Sequence, residues 1–437
     1  MEFAFDGLVG PTHQYAGLSL GNLASAHHAG QVGNPRAAAL QGLAKMRLVA
    51  ELSGAQAVLP PHERPHLGFL RSIGFSGSDE EVLTRAVLDA PEFLRTASSA
   101  SAMWAANAAT VTPSSDTEDG RLHLTPANLS SMLHRSLEAP TTTRVLRQIF
   151  PDTTCAAVHD ALPAHASFSD EGAANHTRLF TSQASVHLFG WGHAPGVNRP
   201  TRFPARQARA ASVAIARRHG LNQRAHFVQQ DPAGIDAGAF HTDVLAVGAE
   251  RLLLVHERAF VDMERVLIDL RRDLGEELCV RHVSEQELPV AEAVRCYPFN
   301  SEIVPLLDGG LAVLAPEETQ TSEAARRVLD GLPEICSDVR RIIYVNVNDS
   351  MRNGGGPACL RLRIPLSERE RASVKASVFF DEELDRKLVT WIERHYRDRL
   401  TPSDLADPAL LLETRTALDE LTGLLGLGSV YDFQRSS

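Results

Sequence analysis

The stretch Val345-Asn346-Val347-Asn348-Asp349-Ser350-Met351-Arg352-Asn353-Gly354-Gly355-Gly356-Pro357-Ala358-Cys359-Leu360-Arg361-Leu362-Arg363-Ile364-Pro365 decides how the rest of the chain is read. An apolar run (Ile342, Ile343, Val345, Val347) enters it and an alternating strand (Leu360, Leu362, Ile364) leaves it, with a polar, glycine-rich turn between them. Three consecutive glycines allow backbone angles closed to other residues and can bring bare N–H groups close to a ligand. Cys359 follows them at a loop-to-strand junction beside Arg352, where a lowered pKa and a nucleophilic thiolate are plausible. Read from this stretch alone, the thiol is more at home as a small buried hydrophobe, as most lone cysteines are.

Similar units recur along the chain. Polar, small-residue turns that feed short apolar strands stand near Asp6, Asn107, Glu171, His241, Asn300 and Asn348. The return of one supersecondary unit predicts a repeat or propeller-like architecture whose turns meet on one face. Helix signals lie between the turns. Asn34-Pro35 opens a helix that ends at Ser53-Gly54, and Ser78 with Glu81 forms a capping box. Pro204 to His219 reads as a helix closed by Gly220, and Asp381–Leu400 and Pro408–Leu425 read as amphipathic helices.

Composition narrows the function. With 43 basic against 54 acidic residues the net charge is −11, which argues against nucleic acid or an anionic membrane as a broad partner. An anionic ligand would need a local cluster of Arg and His. Five cysteines (Cys155, Cys279, Cys296, Cys336, Cys359) are an odd number without a C-x-x-C pair, which predicts a reducing compartment and no thiolate zinc site. There is no basic leader and no run of ~18 apolar residues, so the expectation is a soluble cytoplasmic protein. The histidines His27, His28, His123, His134, His187 and His193 show no ligand spacing. His62-Glu63-Arg64-Pro65-His66 matches H-E-x-x-H by letter, but Pro60, Pro61 and Pro65 oppose the helix that motif requires. No metal and no cofactor are expected.

His241 and Asp243 are two apart at the mouth of a strand, so their side chains share a face. A histidine beside a carboxylate can shuttle a proton near neutral pH. Taken singly, each has a plain structural explanation. Three stretches together, Asp170-Glu171-Gly172-Ala173-Ala174-Asn175-His176, Gly238-Ala239-Phe240-His241-Thr242-Asp243 and Asn346 to Cys359, closely resemble the motifs of the N-succinylarginine dihydrolase family. Phe5 to Gly10 and Tyr15 to Ser19 are similar too, and the resemblance covers almost the whole chain in order.

The resemblance implies an α/β fold, the pentein α/β-propeller, with about five ββαβ-type units and pseudo-fivefold symmetry. It implies one catalytic domain over 1–437 with a helical C-terminal segment from about 380 to 427. The implied reaction takes N2-succinylarginine and two waters to N2-succinylornithine, two ammonia and carbon dioxide in arginine catabolism. In it Cys359 attacks the guanidinium carbon, His241 moves protons, Glu171 orients His241, and Asp243 accepts guanidinium N–H bonds. The same resemblance assigns Asn107, His134, Arg135, Arg209 and Asn353 to substrate binding. It adds the loop Ala16-Gly17-Leu18-Ser19-Leu20-Gly21-Asn22-Leu23-Ala24-Ser25 as a cover, and implies a homodimer without cofactor or metal. Three alternatives stay open at this level. They are a guanidine deiminase acting on arginine or agmatine, a cysteine-dependent amidase or acyltransferase, and a non-catalytic sensor of arginine derivatives.

Overall fold

Short apolar runs bounded by turn formers make strands here, and runs with helical periodicity make the crossovers between them. In the computed structural model, which describes residues 1–435, fifteen strands form five three-stranded sheets among the described residues. The first sheet holds β3 (Ala109–Thr112), β4 (Leu122–Pro126) and β5 (Ala156–Val158), and the second holds β6 (His176–Phe180), β7 (Ser185–Trp191) and β8 (Ala225–Gln229). The third contains β9 (Ala246–Ala249), β10 (Leu252–His256) and β11 (Cys279–Val283), the fourth β12 (Glu302–Pro305), β13 (Leu311–Pro316) and β14 (Val339–Val345). In each, the first two strands pair antiparallel and the third returns parallel to the second. A parallel return needs a crossover, supplied in turn by the helices Ala139–Ile149, Arg209–Arg218, Met263–Leu274 and Glu323–Asp330.

The fifth sheet is assembled from both ends of the chain. β15 (Arg361–Pro365) pairs antiparallel with β1 (Glu2–Gly7), with Phe3 opposite Ile364 and Phe5 opposite Leu362. β1 then runs parallel to β2 (Gln56–Leu59) across the helix Pro35–Ser53. The ring of ββαβ units therefore closes by strand pairing, which leaves no open break between the last unit and the first. Phe5, Leu124, Leu188, Leu254, Val313 and Leu362 come from all five sheets and belong to one continuous apolar core.

Asp6, expected at a turn, lies instead within β1. It is buried and accepts hydrogen bonds from Lys45 Nζ at 2.7 Å and Gln56 Nε2 at 3.0 Å. Lys45 also pairs with Glu302 of β12, so a buried charge cluster ties the fifth unit to the fourth. The helix expected from Pro204 starts only at Arg209. The residues before it are not helical, and Ala208 is extended: Gly192 N–H donates to Gln207 O at 2.9 Å and Ala208 N–H to Ser169 O at 2.9 Å. Tertiary bonds outweigh a modest helix propensity here. The C-terminal helices are Glu382–His395 and Pro408–Leu425, joined by Trp391 Nε1–H donating to Ala417 O at 2.9 Å. No helix among the described residues is long and apolar enough to cross a membrane.

Candidate active site

The first strand of every unit is preceded by a short 3₁₀ turn, at Ala105–Asn107, Gly172–Asn175, Thr242–Val244, Pro298–Asn300 and Pro357–Leu360. Pseudo-fivefold closure brings these lead-in turns together. They carry Asn107, Glu171 (at the cap of its turn), Asp243, Asn300 and Cys359, so residues as far as 116 positions apart come within bonding reach.

Two linked groups form. Cys359 Sγ lies 3.6 Å from Asp243 Oδ2, and Asn300 bridges them by accepting from Cys359 N–H at 3.3 Å and donating to Asp243 O at 3.1 Å. Burial pushes the Cys359 thiol well up, and the Asp243 carboxylate beside it pushes the same way. Burial likewise raises Asp243 to about 7. In the second group Glu171 Oε2 accepts from His241 Nε2 at 2.7 Å and from Arg135 Nη1 at 2.9 Å, and Oε1 accepts from Ser131 Oγ at 2.5 Å. Glu171 is fully buried, yet these partners, Arg135 above all, outweigh desolvation and hold its carboxyl well below the usual range. Burial lowers His241 to about 4 despite the opposing pull of Glu171, so the ring is neutral at physiological pH. With Nε2–H donated to Glu171, Nδ1 keeps its lone pair, and it has no partner. Asp243 Oδ1 is also buried without a partner.

Asn107 holds the backbone beneath this network, its Nδ2 donating to Glu171 O at 2.7 Å. The covering loop lies down over the site. Gly30 N–H donates to Tyr15 O at 2.8 Å to close its base, Asn22 Nδ2 donates to Asn353 O at 2.9 Å, and Ser19 Oγ lies 3.3 Å from His134 Nε2. Burial first, and Arg135 next, lower His134 to about 3. Ala16 to Ser19 and Ser25 of the loop, with Trp104, His134 and Asn353, line a small cleft.

The glycine run serves packing. A Cβ on Gly354 would meet the Asn22 side chain at 1.9 Å, one on Gly355 the Trp104 Nε1 at 2.4 Å, and one on Gly356 the Asn300 Oδ1 at 2.7 Å. Each glycine makes room for a neighbouring side chain of the site or its cover.

No hydrogen bond among the described residues joins the Arg209 side chain to the groups above. Arg209 is exposed on the first turn of its helix, its guanidinium 5.9 Å from the ring centres of Trp191 and Phe227. The non-helical backbone before that helix turns Arg206 inward instead. Arg206 is buried, stacks 4.5 Å over Phe240, and donates from Nη2 to Leu20 O of the covering loop at 2.7 Å, leaving Nε unpartnered. Gln207 accepts from Glu171 N–H at 2.7 Å and donates to Asp170 Oδ1 at 3.1 Å. Arg206, Gln207, Ser131 and Asn300 were not singled out from sequence as site residues. For Asn300 a signal existed, its place in the recurring turn.

A closed ring of five ββαβ units with a thiol, a histidine and carboxylates on its lead-in turns defines a pentein-fold protein. Solved structures agree on the fold. The N-terminal domain of ArgZ, bound to product and described as an arginine dihydrolase from the ornithine–ammonia cycle in cyanobacteria, superposes with a TM-score of 0.52 at 15% identity, over 83% of this chain and 98% of that one. Within that class the chain belongs to the succinylarginine dihydrolase family, whose profile matches residues 1–434. It is 56% identical to the N-succinylarginine dihydrolase of Myxococcus xanthus (strain DK1622) over 99% of this chain and 100% of that protein. It is 53% identical to the enzyme of the same name from Burkholderia thailandensis, over 99% of each.

Proposed function

We propose that this chain hydrolyses N2-succinylarginine with two waters to N2-succinylornithine, two ammonia and carbon dioxide, using Cys359 as nucleophile. The observation that carries the reading is a division among unsatisfied buried atoms. The acceptors Asp243 Oδ1, on the carboxylate beside the thiol, and His241 Nδ1 lack partners, and so do the donors Arg135 Nε, Arg135 Nη2 and Arg206 Nε. Buried polar atoms call for partners. A substrate with a guanidinium head, rich in N–H donors, and a dicarboxylate tail supplies both kinds.

The raised thiol pKa of the free protein fits this cycle. A bound guanidinium next to Asp243 adds positive charge where Asp243 had opposed ionisation, so substrate itself favours the thiolate. His241 Nδ1 takes the thiol proton as sulfur bonds to the guanidinium carbon. It then gives that proton to the departing nitrogen, releasing ammonia and leaving a thiouronium on Cys359. Water attacks that carbon while His241 accepts its proton, and collapse breaks the C–S bond to give the ureido compound. A second round on the ureido carbon releases the second ammonia through a thiocarbamate, and the carbamate that follows decomposes to carbon dioxide and the amine. Both rounds use the same thiol. Arg206, in place of Arg209, meets the substrate carboxylates beneath the covering loop.

Ammonia stoichiometry tests the reading. Two equivalents from N2-succinylarginine, and no turnover of arginine or agmatine, are expected; one equivalent, or preferred turnover of arginine, overturns it in favour of a deiminase. In a rapid-quench run, free ureido product that accumulates and then disappears would contradict retention at one site.

A further inference from the structure

Three histidines outside the active site converge although 36 and 60 residues separate them in sequence. His123 lies on β4, His159 just after β5, and His219 caps the helix Arg209–Arg218 of the next unit. One ring nitrogen from each lies within 4.8 Å of the other two. His123 Nδ1 and His159 Nε2 are 3.1 Å apart, and His219 is fully buried between the hydroxyls of Thr112 (Nδ1, 2.8 Å) and Thr125 (Nε2, 2.7 Å).

From this geometry we propose a divalent metal site, of the borderline kind that imidazole prefers, such as Zn²⁺, formed by His123, His159 and His219. Zn–N bonds of about 2.0–2.1 Å in a tetrahedral set place ligand nitrogens about 3.3 Å apart. The His123–His159 pair is already close to that, and His219 needs to approach by no more than about 1.5 Å. The surroundings suit ligation. Asp119 carboxylate oxygens lie 3.0 and 3.1 Å from His123 Nε2, so that nitrogen carries the proton and Nδ1 presents its lone pair, the carboxylate–histidine–metal arrangement. A neutral His219 has one N–H. One threonine hydroxyl therefore accepts from it and the other donates to the lone pair. Metal binding exchanges only the second of these bonds. His159 is half-buried, so an ion and a completing water can enter from its side. The metal would brace the hairpin of the first unit against the crossover helix of the second.

Titration with Co²⁺ and Zn²⁺ tests this, in the wild-type chain and in Cys359→Ser, which removes the reactive thiol as a competing ligand. About one Co²⁺ per chain is expected, with visible d–d bands, no thiolate charge-transfer band, and the same affinity in Cys359→Ser. His159→Gln and Asp119→Asn should each weaken binding by about tenfold or more. Zn²⁺ should raise the thermal midpoint of the wild type and not of His159→Gln. Turnover should be unchanged in His159→Gln, because the partners of His159, which are His123, His219 and Leu124, lie outside the candidate site. No Co²⁺ bound, binding abolished in Cys359→Ser, or full affinity in His159→Gln overturns the assignment.

Discussion

Glu171 and Asp243 sit on equivalent lead-in turns of neighbouring units, yet their carboxyls are displaced in opposite directions. Both lose hydration, which by itself raises a carboxyl pKa. Glu171 has a buried arginine, a histidine N–H and a serine hydroxyl on its oxygens, and stays ionised. Asp243 has a thiol at 3.6 Å and one oxygen without a partner, and rises to about 7. Symmetry of the fold thus supplies position, and partners decide charge. One carboxylate is finished and supports His241; the other keeps an oxygen without a partner.

The largest effect should come from breaking the finished side. Arg135→Met leaves Glu171 as an unpaired buried charge, and removing one partner of a buried pair costs about 3–5 kcal/mol. Urea denaturation at pH 7 should show that loss, and Arg135→Lys should recover part of it. The sign with pH follows from the lowered pKa. Glu171 contributes stability above its unfolded value of about 4.3, and that contribution fades as pH falls toward its low folded value. The gap between wild type and Arg135→Met should therefore narrow in acid. A gap that is constant from pH 7 to pH 3 would show that Glu171 is not held by Arg135.

Breaking the incomplete side should separate two readouts. Asp243→Asn removes the charge proposed to bind guanidinium and is expected to lower kcat/KM by about a hundredfold or more. The same change removes the like charge beside Cys359, so alkylation of the free protein by iodoacetamide should shift to lower pH while turnover falls. Folded Asp243 titrates above its unfolded value, so it favours the fold below about pH 4, and that advantage is lost as pH rises through about 7. Asp243→Asn should accordingly gain stability relative to wild type between pH 5 and pH 8. Slower alkylation in the variant would show that Asp243 does not add to the effect of burial on Cys359.

Much of this arrangement could be read from residue order, because the recurring turn and the Cys359 stretch are local patterns. Helices capped by Asn34 and Ser78 begin where those residues predict. Contacts set by closure could not be read. Nothing local tells that Gly354 faces Asn22 or Gly355 faces Trp104, and the charge on Asp6 gives no hint that Lys45 and Glu302 bury it within a strand. The three converging histidines have no spacing signature at all. The Pro204 segment shows the mechanism of error most directly: proline and good helix formers favour a helix from Pro204, but Gln207 and Ala208 are claimed by neighbouring backbone, and the register of every side chain before Arg209 changes with them.

That register change yields the smallest but most discriminating test. If residues 204–208 were helical, Arg206 and Arg209 would lie three apart on one face and either could reach a ligand. In the non-helical segment only Arg206 turns inward, with Phe240 beneath its guanidinium and Nε left free, while Arg209 stays in solvent. A hydrogen bond to a charged group contributes about 1.5–3 kcal/mol, so Arg206→Ala should raise KM for N2-succinylarginine by roughly ten- to a hundredfold. Arg206→Lys should recover little, because an ammonium cannot reproduce the fork that also holds Leu20 O. Arg209→Ala, a surface change, should stay within about 0.5 kcal/mol on both stability and KM. The reverse ranking would mean that substrate draws Arg209 over the rim, and that Arg206 serves only to hold the covering loop.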